Sequence, residues 1–305
     1  MNKKDCIRVM IQKSTRCRAC REGNLHGFLS LGETPLANNF LRKDQLNSSE
    51  PVFPLEVAFC PGCGMVQLGH VVPPELMFRN YLYISSMSNT LRRHFSDLAS
   101  ETVKRFRPPG NSLAVDIGSN DGTLLKEFQA RGVRTLGIEP ATNIAKLAET
   151  KGVETINDFF SPRTATQVVE KRGKARIITA TNVFAHVDDL DDFLRGVDIL
   201  LEAEGVLVIE VPYLVDLVEK TEFDTIYHEH LSYFSLRPLT HFFRRFGMEV
   251  LDVQRVGIHG GSIRVFVKRS SNPLPVSGSV EELLALERER GLDSLETYRA
   301  FAERV

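Results

Sequence analysis

The 305-residue sequence has no apolar run of the ~18 residues that a membrane helix needs. Its N-terminus also lacks an apolar stretch long enough for a signal peptide. Charge of one sign is missing too. The 38 basic and 39 acidic residues give a formal net charge of -1, which offers neither nucleic acid nor an anionic membrane an electrostatic hold. The exception is the N-terminal stretch holding Lys3, Lys4, Arg8, Lys13, Arg16, Arg18 and Arg21. That run has no interleaved aromatics, so it reads as a solvated basic leader rather than a nucleic-acid contact. Hydrophobic residues at 42% and charged residues at 25% are ordinary for a globular chain, and the length allows two domains. These exclusions point to the cytoplasm. There thiols stay reduced, and paired cysteines bind metal more often than they form disulfides.

Cysteine is scarce, and what there is falls into a pattern. Four of the five form two pairs, Cys17-x-x-Cys20 and Cys60-x-x-Cys63; Cys6 is left without a role. Pro61, Gly62 and Gly64 let the second knuckle turn tightly while its thiolates converge. Two such pairs supply the four soft ligands of a tetrahedral zinc site, and four thiolates leave no open position, so the metal is expected to be structural. Residues 1–72 are therefore read as a zinc-binding domain with its leader. Residues 73–110 read as a helical linker or lid, with Leu91, Phe95, Leu98, Val103 and Phe106 at helical spacing and Pro108-Pro109-Gly110 as the stop.

Strands and helices then alternate. Leu113 to Ile117, Arg134 to Ile138, Ile177 to Ala180 and Val206 to Val211 read as strands, with helices around Leu124 to Ala130 and Asn143 to Thr150. Such alternation calls for a parallel sheet covered on both faces. Two late strands, Met248 to Val256 and Ser262 to Lys268, are joined by a short turn and should pair antiparallel. The expected fold is α/β, a doubly wound Rossmann-like sheet with an antiparallel end, spanning residues 111–272.

The first strand ends in V-D-I-G-S-N-D-G-T-L-L. This differs from the dinucleotide fingerprint G-x-G-x-x-G and lacks the Lys-Ser/Thr of a P-loop. Asp116 with Ser119, Asn120 and Asp121 suits a cationic ligand better than a pyrophosphate. Glu139, at the second strand's end, is placed to accept from ribose hydroxyls. Asp158 can take an adenine amino group, with Phe159 against the ring. These residues resemble the class I S-adenosylmethionine methyltransferases. The resemblance implies that Gly118 and Gly122 line the methionine portion, Glu139 holds the ribose, and Asp158 and Phe159 hold adenine. Pro140 and Asn182 are placed in the same cofactor site. A nicotinamide-binding Rossmann domain is the competing reading.

The richest polar cluster is T-I-Y-H-E-H-L-S-Y-F-S, holding Tyr227, His228, Glu229 and His230. It does not match the H-E-x-x-H zinc motif. A general base beside a carboxylate and a phenol is one reading, and a hydrogen-bonded loop with one buried histidine is the other. The two C-x-x-C pairs, P-L-A-N-N-F-L, Y-L-Y-I-S-S-M-S, D-I-G-S-N-D-G, N-V-F-A-H-V, Y-H-E-H-L-S-Y-F-S and H-G-G-S-I-R together resemble the sugar C-methyltransferases of deoxysugar biosynthesis. Those act on dTDP-linked 4-keto sugars. The resemblance implies carbon methylation next to a ketone, with His230 as base and Tyr227 and Glu229 assisting. His186 or Tyr227 can face the ketone oxygen, although His186 also reads as a helix-start histidine. Tyr83, Ser86, His228, His259 and Ser262 are assigned to the nucleotide-sugar substrate, and His259 serves equally as plain hairpin connection.

Members of that family continue with a further α/β domain of roughly a hundred residues, a common domain size. This chain reaches F-A-E-R-V inside the helix that leads to it. Residues 273–305 are therefore expected to be only the start of a truncated or absent C-terminal domain. Two rival functions remain at this stage. One is O- or N-methylation of another small molecule; the other is an inactive cofactor-binding module, with RNA methylation guided by the zinc knuckles weaker than both because the basic residues are confined to the leader. No oligomeric state follows from the sequence.

Overall fold

In the computed structural model, residues 11–47, 49–79 and 81–305 are described. Lys3, Lys4, Arg8 and Cys6 fall outside them. The N-terminal part forms Gln12–Lys13 (β1), His26–Thr34 (β2), Phe53–Phe59 (β3), Val66–Leu68 (β4) and His70–Val71 (β5). β2, β3 and β4 are antiparallel neighbours, and β1 pairs with β5. Alternation along β3 puts Phe53, Leu55, Val57 and Phe59 on one buried face. The fourth strand of this sheet arrives from far along the chain: Ser232–Tyr233 (β11) pairs with β4. The small sheet and the Y-H-E-H segment are thus joined through backbone hydrogen bonds.

Pro74–Phe78 (α1) and Asn89–Phe106 (α2) bracket a stretch that the sequence pattern reads as helical and the structure makes extended, with one 3-10 turn at Ser85–Met87. The reason is local. Backbone N–H groups there donate to side chains across the molecule, Tyr81 to Asn143 Oδ1 and Ser85 to Asn120 Oδ1. Ser88 must also stay extended, because its Oγ caps α2 by accepting from Leu91 N at 3.2 Å. The buried face of α2, Leu91, Phe95, Leu98 and Ala99, packs on Ala114, Ile177, Val206, Val208 and Phe266 of the main sheet. Arg107 ends the helix in a left-handed conformation just before the Pro108-Pro109 stop.

The main sheet contains Leu113–Ile117 (β6), Arg134–Ile138 (β7), Thr155–Ile156 (β8), Ala175–Thr181 (β9), Leu201–Pro212 (β10), Met248–Val256 (β12) and Ser262–Arg269 (β13). Their order is β12-β13-β10-β9-β6-β7-β8. β6 to β10 run parallel, and β13 closes antiparallel against both β10 and β12. Thr123–Gln129 (α3), Thr142–Thr150 (α4), Pro162–Arg172 (α5) and Leu190–Leu200 (α6) connect the parallel strands. Every residue of β6 is buried, as a strand covered on both faces must be. The winding direction reverses between β6 and β9, which opens a crevice at their carboxyl ends.

Leu214–Lys220 (α7) and Leu236–Arg244 (α8) follow β10, and Gly278–Glu289 (α9) and Leu295–Ala302 (α10) close the described chain. The last two helices pack on the rest of the molecule. Tyr298 is fully buried, with its ring 4.9 Å from Phe59 of β3 and 5.2 Å from Phe28 of β2. Glu287 accepts from Leu236 N, Arg237 N and Tyr213 Oη, which ties α9 to α8 and to the residue that joins β10 to α7. Among the described residues no helix is long and apolar enough to cross a membrane.

Candidate active site and metal centre

The four paired cysteines converge. Sγ of Cys17 lies 3.5 Å from that of Cys63, and Cys20 is equally close to Cys60. All four sulfurs fall within 4.8 Å of one another. A tetrahedron of 2.3 Å Zn–S bonds has edges of about 3.8 Å, so the cluster fits zinc. Without a cation the sulfurs compete for protons: the hydrogen bond from Cys63 holds the Cys17 thiol down to about 5, while the same contact pushes Cys63 up. Arg18 and Arg21, expected in a solvated leader, belong to this knuckle. Arg18 is buried, and Arg21 pairs with Asp189 and Asp191.

The crevice at the sheet's carboxyl edge is a cavity of about 770 Å³, within the ~300–1,000 Å³ of small-molecule sites. Its floor is the turn after β6. Gly118 has φ +65, and a Cβ there would sit 2.3 Å from the Val183 side chain, so only glycine keeps this backbone against the cavity. Asn120, also left-handed, donates its backbone N–H to Glu139 Oε2 (2.9 Å) and its side-chain amide to Tyr83 O (3.0 Å). Glu139 further accepts from Ala141 N at 2.8 Å. Burial raises the carboxyls of both Asp116 and Glu139, Asp116 to about 7, although a 2.6 Å bond from Thr179 Oγ1 partly opposes it. Neither carboxylate has a basic partner among the described residues. Two buried acids lining an apolar-walled cavity suit a ligand that brings its own cation and hydroxyl donors, which S-adenosylmethionine does.

Ser119, Pro140, Phe159 and Asn182 also line this cavity. Arg79 stacks its guanidinium 4.8 Å above the Phe159 ring. Two residues expected here do not line it. Asp158 turns to an ion pair with Arg163 and accepts from Phe159 N. Gly122 is packed under Val153, where its φ of +76 starts α3. Asn157, which the sequence reading passed over, donates to the carbonyls of Glu139 and Pro140 and braces that turn.

At the other end stand Tyr227, His186, His230 and His259, all on the cavity wall. His230 Nδ1 lies 2.8 Å from the Thr225 carbonyl, an acceptor only, so Nδ1 carries the proton and Nε2 the lone pair. Tyr227 Oη donates to that Nε2 at 3.0 Å. Burial lowers His230 to about 4 and His186 well below its ordinary value, and the two rings meet edge to face at 5.1 Å. Two neutral imidazoles and a phenol therefore face the ligand space.

Glu229 does not line the cavity. Its buried carboxylate accepts from Asn38 Nδ2 (2.7 Å) and Tyr81 Oη (3.1 Å), two residues that do. Asn38 brings the N-terminal domain into the wall, through the loop P-L-A-N-N-F-L. His228 is the structural histidine of the cluster: it is buried against Phe53, with Nε2 3.2 Å from the Phe53 carbonyl. Ser262 is buried and donates to the Ile258 carbonyl. Ser86 accepts from Lys151, which also pairs with Asp121. Of the residues assigned to the substrate, half-exposed Tyr83 and His259 line the ligand space.

Three family models match the chain. One described as "Putative zinc binding domain" matches residues 17–78, one described as "Methyltransferase domain" matches 90–253, and one described as "C-methyltransferase C-terminal domain" matches 257–305. C-methyltransferase NovU of Streptomyces niveus is 38% identical over 293 residues, covering 96% of this chain and 70% of that protein. A ubiquinone biosynthesis O-methyltransferase of Rhodopseudomonas palustris is 30% identical over 105 residues, 32% of this chain and 41% of its own length. Among solved structures, a methyltransferase of Clostridium acetobutylicum has a TM-score of 0.47 at 14% identity, covering 58% of this chain and 92% of that one. Magnesium protoporphyrin IX methyltransferase of Synechocystis has 0.46 at 11%, covering 58% and 83%. The match over 257–305 overturns the expectation that the C-terminal domain is absent. The family's C-terminal domain is present, and β13, α9 and α10 lie in it.

Proposed function

We propose that this chain, which belongs to the S-adenosylmethionine-dependent C-methyltransferase family with an N-terminal zinc-binding domain, methylates the carbon beside the ketone of a nucleotide-linked 4-keto deoxysugar. One observation carries the reading: His230 holds its proton on Nδ1 and turns an Nε2 lone pair, with the Tyr227 hydroxyl on it, toward a cavity of small-molecule size.

A 4-keto group acidifies the neighbouring C3–H. His230 Nε2 takes that proton, and Tyr227 releases Nε2 to donate to the ketone oxygen as negative charge develops there. His186, neutral for the same reason as His230, is a second donor on the same wall. Glu229 holds Tyr81 and Asn38 against the sugar rather than touching it. At the cofactor end Asp116 faces the cationic methionine portion, Glu139 accepts from the ribose, and Phe159 with Arg79 above it flanks the adenine. S-adenosylmethionine supplies the electrophilic methyl group. Four cysteines close the zinc's coordination sphere, which makes the metal structural.

Incubation with dTDP-4-keto and dTDP-4-hydroxy sugars, read by the mass and position of the added methyl, tests the proposal. A methyl on C3 of the keto sugars alone is expected. A methyl on oxygen or nitrogen, or equal methylation of the 4-hydroxy sugars, overturns it.

A further inference from the structure

Arg18 stands in the first zinc knuckle, between Cys17 and Cys20 in sequence, and is 2% exposed. A charge so buried must be fully engaged to be tolerated. Arg18 Nε donates to Asp188 Oδ1 at 2.9 Å, and Nη1 donates to the carbonyls of Leu68 (3.0 Å) and Leu231 (3.1 Å). Nη2 reaches Ser14 Oγ at 2.9 Å. Two of these partners are neighbours of the cavity histidines. Leu231 directly follows His230, and Asp188 lies two residues beyond His186 and itself lines the cavity. Arg21, just after the knuckle, clamps the same loop through Asp189 and Asp191.

We propose that Arg18 is a positioning residue that sets the spacing of the His186 and His230 loops, so that the zinc knuckle acts as the jig for the catalytic pair. The fork shape is what the task requires. Five N–H donors in one rigid plane reach a carboxylate and two carbonyls in different directions, and a lysine's single nitrogen cannot. Zinc holds the backbone on either side of Arg18, so losing the metal frees the fork. The Cys17-x-x-Cys20 motif then has a second purpose beyond folding its own domain. It registers one domain on the active-site loops of the other.

The kinetic side of this inference rests on His230 being the base; the geometric side does not. The test uses the full chain as wild type, Arg18→Lys and Asp188→Asn. It compares zinc content, S-adenosylmethionine affinity, kcat against KM, and the imidazole ¹H–¹⁵N resonances, assigned with His186→Gln and His230→Gln. Arg18→Lys is expected to keep zinc and cofactor affinity, to shift the His186 and His230 resonances, and to lower kcat about tenfold to hundredfold with little change in KM, as loose alignment does. Unchanged resonances and kcat in a zinc-loaded Arg18→Lys protein overturn the proposal. If Arg18→Lys loses zinc or fails to fold, Asp188→Asn decides: shifted resonances with zinc bound support the proposal, and unshifted ones overturn it. Shifted resonances in a chain whose wild type methylates no keto sugar would refute the proposed function and leave the positioning role standing.

Discussion

At Asp116 burial raises the carboxyl to about 7, so its protonation changes near neutral pH. A cation bound beside it favours the charged form. S-adenosylmethionine binding at pH 7 is therefore expected to release a proton and to tighten as pH rises through 7. Calorimetric titration in buffers of different ionisation enthalpy measures this; a binding enthalpy independent of buffer, or equal proton release from Asp116→Asn, would contradict it. At His230 burial shifts the pKa in the opposite direction, down. Its neutral form is the base, and burial moves its pKa from 6.5 down to about 4. At saturating cofactor the acid limb of kcat should fall near pH 4, and a limb at 6.5 would contradict the placement. Sequence could name Tyr227, His228, Glu229 and His230 but could not sort them. Their division of labour depends on partners far away: the Phe53 carbonyl claims His228, Asn38 and Tyr81 claim Glu229, and the Thr225 carbonyl sets the tautomer of His230. Asp158 shows the converse. Its position after a strand suited an adenine contact, yet Arg163 one turn along the chain captures it.

Elements were more legible than side chains, because periodicity is a local property. Strands read at 113–117, 134–138 and 248–256 have those same bounds in the structure, and the antiparallel end follows from the short turn between β12 and β13. The segment between α1 and α2 reads as helical but is not, because backbone groups of Tyr81, Tyr83 and Ser85 bond to Asn143 and Asn120 instead of along a helix. The closing helices depend on tertiary contact in the same way. α8 has no side-chain cap of its own, and Glu287 of α9 takes over by accepting from Leu236 N and Arg237 N. Glu287→Ala orphans both N–H groups and the Tyr213 hydroxyl, and is expected to cost about 3 kcal/mol of stability in urea unfolding. A loss under about 0.5 kcal/mol, the size of an ordinary surface substitution, would mean the C-terminal helices are not clasped as described.

On the scale of the whole molecule, the N-terminal domain, the sheet edge and the C-terminal helices share one set of contacts. β11 completes the N-terminal sheet, Tyr298 packs on it, and Asn38 reaches into the cavity. Zinc analysis of the purified chain is expected to give one ion, and Cys60→Ser to lose it and unfold the N-terminal domain, since such sites contribute about 10–16 kcal/mol of apparent binding free energy. A metal-free chain with that domain intact would contradict the metal assignment. Zinc and cofactor were legible in the sequence because C-x-x-C pairs and the D-I-G-S-N-D-G turn are short. The contacts between domains were not, because they join residues as far apart as Arg18 and Leu231. The proposed reaction begins with proton removal from carbon. The measurement that tests it most directly is exchange of the C3 hydrogen of a dTDP-4-keto sugar with deuterated water, without methyl donor, in the wild type and in His230→Asn. The account predicts exchange by the wild type and its loss in His230→Asn with S-adenosylmethionine affinity unchanged, a drop of about 10²–10⁴-fold. Exchange at the wild-type rate in His230→Asn would contradict it.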